Sequence, residues 1–194
     1  MHDKGSPSRE PRLRLTPVED LRKTGGTSID LLVFEHESLD STRGTDDGKW
    51  LTKLEDTAAT HRAALRVTEI DPNDVDGGWA RFVAVATASR ADLLVISTHG
   101  FDDGTIGPEA SNSRPPSQVF APGSIRTADL VMFCCTQQQI TDQWRVIAPT
   151  SRIALHEKTV LSCAQLVDKL LSTPRNQAVK VARWQITGPT RADR

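Results

Sequence analysis

Short apolar runs and amphipathic stretches alternate along most of the chain. The apolar runs predict strands over 29–34, 91–97, 129–133 and 152–156, and alternating runs predict a second strand over 65–70 and a last strand over 179–186. Apolar positions at helical spacing predict helices over about 48–63, 77–89, 137–147 and 161–171. Strands that alternate with helices indicate a mostly parallel sheet, because parallel neighbours need crossover connections.

The expected fold class is therefore α/β, with a single doubly wound, mostly parallel sheet flanked by helices. We divide the chain into a flexible N-terminal tail (1–28), a folded domain (29–187) and a C-terminal tail (188–194). The first tail mixes prolines, glycines and charges without a sustained period. Ligands of doubly wound folds bind beyond the carboxyl ends of the strands, so the residues that follow each strand are the candidates for function.

Two stretches interrupt the pattern. Asp71-Pro72-Asn73 ends the second strand, and Asp76 is the predicted cap of the following helix. The segment 101–128 holds four prolines and three glycines and is predicted to be a long loop. A loop of this length inside a compact domain is usually functional or mobile.

Composition and charge narrow the class of protein. A chain of 194 residues with 37% hydrophobic residues can bury its own core without a staple. The net charge of −1 argues against binding to nucleic acid or membranes through bulk charge. No apolar run approaches the roughly 20 residues of a membrane helix, and the N-terminus lacks the apolar part of a signal peptide. We therefore expect a cytoplasmic protein with reduced cysteines, no nucleic-acid partner and no membrane contact.

An imidazole and a thiol follow two of the predicted strands. His99-Gly100 comes after the third strand, and Cys134-Cys135 comes after the fourth. If these strands are neighbours, their spacing of about 4.8 Å allows both side chains to share one cleft. Cysteine attacks a carbonyl as a thiolate or with a base that removes its proton, and histidine titrates in the suitable range. The glycine permits close approach of a substrate, and its N–H can donate to an oxyanion.

This order of motifs resembles the caspase-like cysteine peptidases, and within them the CHAT branch of bacterial separase-like proteins. The matching features are an apolar strand that ends in His99-Gly100, a second that ends in a small residue and Cys135, and the strand–helix pair over 152–171. The resemblance spans about 29–171 and implies a caspase–hemoglobinase-like three-layer sandwich. The segment between the motifs is shorter and richer in proline than CHAT proteins often have, and no helical-repeat domain accompanies it.

The resemblance implies a cysteine endopeptidase that cleaves a protein substrate with a His99–Cys135 dyad. Cys134 takes the small-residue position. His99 assists removal of the thiol proton, the sulfur attacks a peptide carbonyl, and the backbone N–H groups of Gly100 and Cys135 hold the oxyanion. The family requires no third catalytic residue. Bacterial relatives often serve in defence or regulated cell death, so an effector that is switched on by an activating partner protein is expected.

Two other interpretations of the same residues remain open. A non-catalytic caspase-like module would bind a partner protein through the same cleft, and another thiol-dependent hydrolase or transferase would use the same fold. Substrate-binding residues are not assigned. Asp102 and Asp103 would favour a basic residue before the scissile bond or form a solvated acidic loop. Adjacent cysteines do not match the spacing of a zinc site, and we expect neither a metal nor a cofactor.

The remaining cysteines and histidines have simpler explanations. Burial in the core is expected for Cys163 and Cys134, because free cysteine is among the most buried residue types. His36 and His156 lie at or just past strand ends, where they would be structural or would line the cleft. His61 lies late in an amphipathic helix and is predicted to be on its surface.

Overall fold

A mixed sheet runs through the centre of the protein. The computed structural model describes residues 26–35, 49–156 and 163–189, and within them seven strands form this one sheet. The strands are β1 (Ser28–Phe34), β2 (Ala64–Glu69), β3 (Leu93–Gly100), β4 (Ile106–Gly107), β5 (Asp129–Phe133), β6 (Arg152–His156) and β7 (Trp184–Thr187). The helices are α1 (Lys49–Thr60), α2 (Val75–Ala88), α3 (Pro116–Val119), α4 (Thr141–Ile147) and α5 (Cys163–Ser172), with 3₁₀ turns at Ala110–Asn112 and Gln137–Ile140.

The strand order is β2-β1-β3-β5-β6-β7, and the first five of these strands are parallel. The sixth, β7, runs antiparallel to β6, and β4 forms a short antiparallel hairpin with the end of β3. The predicted α/β fold with a mostly parallel sheet is confirmed. The strands β5 and β6 have the predicted limits, and the other strands differ by a few residues at their ends.

Helices cover both faces of the sheet, which makes three layers. Alternate side chains of β1 point to opposite faces, so that Ile29, Leu31 and Val33 join one core and Leu32 and Phe34 join the other. The first core packs against α1 and α5, and the second packs against α2 and α4. Burial on both sides explains why the strands read as continuous apolar runs. We refer to the two sides as the α1/α5 face and the α2/α4 face.

Three predicted boundaries need correction. The cap of α2 is Asp74 and not Asp76, because Asp74 Oδ1 accepts a hydrogen bond from the Gly77 N–H at 2.9 Å and the helix starts at Val75. The last strand begins only at Trp184, because the chain turns before it and Arg183 has a φ of 66°. The segment 101–128 is not a plain loop, since β4, a 3₁₀ turn and α3 lie within it.

Ion pairs hold the amino-terminal edge of the sheet. Arg152 Nε donates to Asp129 Oδ1 at 2.7 Å, and Nη2 of the same guanidinium donates to Asp129 Oδ2 and to the Leu170 carbonyl. Arg152 and Asp129 are both buried. Asp92 accepts hydrogen bonds from the backbone N–H and the hydroxyl of Ser28, and it also pairs with Arg175. A cavity of about 290 Å³ opens beside these groups, at the edge opposite the strand ends that carry His99 and the cysteine pair.

The ends of the chain and two connections lie outside the described residues. Residues 1–25 of the predicted N-terminal tail (1–28) and residues 190–194 of the predicted C-terminal tail (188–194) are outside the described ranges. Ser28 itself is the first residue of β1. Across the described ranges, every helix is too short or too polar to cross a bilayer.

Candidate active site

His99 and Cys135 follow neighbouring strands at the same edge of the sheet. The strands β3 and β5 are adjacent and parallel, and their last paired residues are Ser97 and Phe133. Two further steps along each chain lead to His99 and to Cys135. The register therefore sets these two residues side by side, at the carboxyl edge where α/β folds bind ligands.

Both residues also fall on one face of the sheet by alternation. Val95 and Phe133 belong to the core of the α1/α5 face, and they precede His99 and Cys135 by four and two positions respectively, so that alternation assigns each pair to the same face. Cys134 lies on the opposite side, in the core of the α2/α4 face. Cys134 therefore keeps the alternation of β5 after the strand has ended, and one further step of the same alternation assigns Cys135 to the side of His99.

The backbones after the two strands are in close contact at Gly100. A Cβ atom at this position would lie 2.0 Å from the Cys135 carbonyl oxygen, 2.9 Å from its carbonyl carbon and 3.0 Å from its nitrogen. Any side chain would collide with this backbone, so the contact requires glycine. The sequence analysis explained this glycine by the close approach of a substrate. The structure adds a second reason, because the end of β3 packs directly against the backbone that follows β5.

The Gly100 N–H is directed away from β4. Ile106, which opposes Gly100 in the hairpin, uses its N–H and its carbonyl for hydrogen bonds with Arg114 at 2.9 and 2.8 Å. Gly100 and Ile106 are consequently a non-hydrogen-bonded antiparallel pair, and the polar groups of Gly100 point to the other side. That side is the one occupied by Cys135. The orientation suits the predicted oxyanion donor.

Solvent access separates the three cysteines. Cys134 and Cys163 are 1% and 0% exposed, as predicted for core residues, whereas Cys135 is half-buried and His99 is exposed. Burial raises the pKa of the Cys134 thiol well above its usual value, with smaller contributions from Cys135 and Glu35. Burial also raises the pKa of Cys163 to about 12. Both of these thiols are protonated and inaccessible at neutral pH, and Cys135 is the thiol that a reagent can reach.

Two side-chain hydrogen bonds tie the turn after β5 to the turn after β3. Thr136 has a left-handed backbone with a φ of 57°, and its hydroxyl donates to the Phe101 carbonyl at 2.8 Å. Gln139 Nε2 donates to the Asp102 carbonyl at 2.9 Å. These bonds join residues that are more than thirty positions apart in the chain. They hold the two halves of the candidate site in one arrangement.

Gln137 holds the backbone of the candidate nucleophile by a side-chain hydrogen bond. Its side chain is fully buried, its Nε2 donates to the Cys135 carbonyl at 3.3 Å, and its Oε1 accepts from Trp144 Nε1 at 3.0 Å. The amide thus connects the loop to α4, which is anchored in the core. Sequence reasoning missed this residue because a glutamine in the run 137–139 carries no sign that it is buried.

No hydrogen bond joins the His99 ring to Cys135 Sγ, and no side chain within the described ranges orients the ring by a hydrogen bond. The nearest aromatic ring is that of Phe101, with the two ring centroids 6.4 Å apart. An exposed ring changes rotamer readily, and catalytic hydrogen bonds are often long before substrate binds. The register of the backbone therefore places the two residues close together, whereas their side chains are not joined by a hydrogen bond in this structure.

The other two histidines of the described ranges, His61 and His156, make contacts with neighbouring side chains. His156 is 1% exposed and packs edge-on against Trp184 at 4.9 Å, which makes it structural. The surface position predicted for His61 is wrong, since its ring is half-buried and its Nε2 lies 2.8 Å from Asp168 Oδ1. His36 lies outside the described residues.

The two aspartates after Phe101 are both exposed. Asp103 accepts hydrogen bonds from the hydroxyl and the backbone N–H of Thr105, which lower the pKa of its carboxyl. This arrangement is that of a solvated turn and favours the second of the two interpretations of the acidic loop.

Comparisons with known proteins leave the site to be interpreted from its geometry. No protein-family model matches this sequence, and no curated protein matches it. Within the ranges that the structure describes, no three His, Cys, Asp or Glu side chains are grouped so that they could hold a metal ion. The chemistry that the arrangement offers is that of one accessible thiol, one imidazole and backbone N–H donors.

Proposed function

We propose that this protein is a caspase-like cysteine peptidase that uses His99 and Cys135 as its dyad. The observation that carries the proposal is the contact between Gly100 and the Cys135 backbone, which brings the ends of β3 and β5 together in register. The resemblance of the two sequence motifs to those of caspase-like peptidases supports the same assignment. The solvent access of Cys135 and the burial of the other two cysteines agree with it.

Peptide cleavage follows from these groups in two stages. His99 accepts the proton of Cys135, and the sulfur attacks the peptide carbonyl to form a tetrahedral intermediate. The N–H groups of Gly100 and Cys135 donate to its oxyanion. The C–N bond breaks as His99 returns the proton to the amine. Water then attacks the thioester, releases the carboxylate product and regenerates the thiol.

The substrate in this proposal is a protein, and an activating partner protein regulates access to the site. Action in the cytoplasm as a bacterial defence effector is supported by the sequence resemblance alone. The nearly neutral charge supports a protein substrate over nucleic acid, because nucleic-acid binding depends on a basic surface. No cofactor is needed for the chemistry, since attack, protonation and oxyanion binding use groups of the chain.

Selective alkylation tests the dyad without knowledge of the substrate. We expect iodoacetamide to modify Cys135 before Cys134 and Cys163, as read by peptide mass mapping over a range of pH. His99→Gln should slow this reaction near neutral pH by at least about tenfold, because it removes the base that forms the thiolate. Cys163→Ala is the matched control, since it removes a thiol that lies outside the site. Cleavage of a peptide library by the wild type and not by Cys135→Ala completes the test.

A non-catalytic module that binds a partner protein is the second candidate function. The observation that favours it is that no hydrogen bond joins the His99 ring to Cys135 Sγ, although both residues belong to the described ranges. This candidate predicts that His99→Gln leaves the alkylation rate of Cys135 unchanged at every pH. It also predicts that no peptide in the library is cleaved.

A further inference from the structure

Glu35 is a carboxylate beside the candidate dyad that the proposed chemistry does not use. It is the first residue after β1, and the last register pair of β1 with β3 joins Phe34 to Thr98. On this side of His99 the neighbouring residue is Gly107 of β4, so the chain leaves the sheet at Glu35. Glu35 thus lies at the carboxyl end of β1, next to β3 and two strands away from β5.

A hydrogen bond fixes Glu35 on the same side of the sheet as the dyad. Ser97 Oγ donates to Glu35 Oε1 at 2.5 Å, and Ser97 is fully buried two residues before His99. Because side chains alternate along a strand, Ser97 and His99 both point to the α1/α5 face. Burial raises the pKa of the Cys134 thiol, and the negative charge of the nearby Glu35 adds a smaller contribution in the same direction.

The charge of Glu35 has no cation opposite it within the described part of the chain. Four other buried or half-buried carboxylates have such a partner: Asp30 pairs with Arg66, Asp129 with Arg152, Asp92 with Arg175 and Asp168 with His61. Glu35 is half-buried and its hydrogen bond comes from a neutral hydroxyl. A half-buried carboxylate favours a cationic partner, because burial removes part of the water that would otherwise solvate it.

We propose that Glu35 binds the basic side chain of a substrate residue, lysine or arginine, whose carbonyl is the one that Cys135 attacks. This inference rests on the proposed function. The strands β1 and β5 are separated by β3, so Glu35 and Cys135 are two strand spacings apart, about 10 Å. A long basic side chain spans most of that distance when its carbonyl carbon lies at the sulfur. An acidic side chain in the same place would meet a like charge.

A pair of covalent probes measures this preference directly. The probes are tripeptidyl chloromethyl ketones that differ only in the last residue, which is arginine or its neutral isostere citrulline. Each alkylates the cysteine that lies beside the bound carbonyl, and intact mass with peptide mapping gives the rate at Cys135. We expect the arginine probe to react with the wild type about 10- to 100-fold faster, as a hydrogen bond to a charged group would produce. Glu35→Gln should reduce this ratio to about 1–2 by slowing the arginine probe alone.

The design separates a loss of recognition from a loss of structure. Glutamine retains an oxygen that accepts the Ser97 hydrogen bond, and the ratio of two probes on one sample does not depend on the folded fraction. Asp102→Asn is the matched control, since it neutralises an exposed carboxylate near the same edge and should leave the ratio unchanged. If Asp102→Asn and not Glu35→Gln abolishes the preference, the assignment of Glu35 is wrong.

The remaining outcomes distinguish this inference from the proposed function. Equal rates of the two probes, with Cys135 still selectively alkylated by iodoacetamide in a His99-dependent manner, would leave the dyad intact and overturn the assignment of Glu35. A Glu35→Gln variant that slows both probes equally would show that the carboxylate acts on the dyad and not on the substrate charge. Resistance of Cys135 to every reagent would refute the proposed function and the role of Glu35 together.

Discussion

Gly100→Ala tests the contact on which the candidate site depends. The new methyl carbon would lie 2.0 Å from the Cys135 carbonyl oxygen, whereas such atoms are essentially never closer than 3.0 Å. One of the two backbones must therefore move by about 1 Å. The obstacle is backbone, and the buried amide of Gln137 holds the same carbonyl through a hydrogen bond. The contact therefore has little freedom to relax.

Two effects of different size follow from that displacement. Overpacking of this kind typically costs about 1–3 kcal/mol of the free energy of unfolding. The shift also moves the Gly100 N–H relative to the sulfur, and a misplacement of about 1 Å can lower a catalytic rate by on the order of 10²-fold. We therefore expect a variant that still folds but reacts much more slowly at Cys135 with a peptidyl probe.

Urea unfolding and the rate of probe labelling at Cys135 are the two measurements. Gly188→Ala is the control, because no atom lies within 4 Å of the position a Cβ would take and its change in stability should stay within about 0.5 kcal/mol. If Gly100→Ala unfolds and reacts like the wild type, the strand ends are not in contact and the geometry of the site is wrong.

Three further substitutions test the supports of the site and of the sheet. Gln137→Ala should lower the free energy of unfolding by about 1–3 kcal/mol in urea, because it leaves a buried indole N–H and a backbone carbonyl without a partner. Arg152→Met should cost about 3–5 kcal/mol in the same assay, because the buried Asp129 carboxylate loses its buried partner and keeps only the exposed Arg175 guanidinium at 3.9 Å. Burial alone would raise the pKa of Asp92, but hydrogen bonds from Ser28 and from a neighbouring guanidinium outweigh it and lower the pKa below 3.8. The ionised Asp92 therefore stabilises the fold above this pH, and Asp92→Asn should reduce the stability at neutral pH and weaken its loss as the pH falls through the folded-state pKa.

Each of these expectations has a control or an outcome that contradicts it. Gln139→Ala removes an exposed amide from the same turn and should cost less than Gln137→Ala. Arg175→Met removes a guanidinium that is 56% exposed, pairs with the 42% exposed Asp92 and reaches the buried Asp129 only at 3.9 Å, so its cost should stay below about 1 kcal/mol. Equal losses for the Arg152 and Arg175 variants would contradict the role of burial. Acid-unfolding curves of the same shape for the wild type and Asp92→Asn would exclude a lowered pKa at that carboxyl.

The sequence was most informative where burial on both faces left a continuous apolar run. The strands Asp129–Phe133 and Arg152–His156 were predicted at their observed limits, because a charged residue begins each run and apolar residues follow it. The prediction of Asp76 as a cap was wrong because Asp74 and Asp76 lie only two positions apart at the start of α2, and only backbone geometry selects Asp74. The last strand was predicted too long because its alternating pattern continues across a turn, which periodicity does not reveal.

The sequence by itself determined the class of fold and the order of the candidate groups. Local patterns of 2.0 and 3.6 residues specify strands and helices, and motifs adjacent to strands mark His99 and Cys135. Only the tertiary structure decided which residues meet, because register and strand order depend on packing between distant parts of the chain. A hydrogen bond from Ser97 of the neighbouring strand fixes Glu35 near the candidate dyad, and packing buries Gln137, whose amide donates to the Cys135 carbonyl. The residues next to Glu35 and Gln137 in the sequence do not indicate which distant side chains will contact them. The roles of these two residues could therefore not be predicted from the sequence.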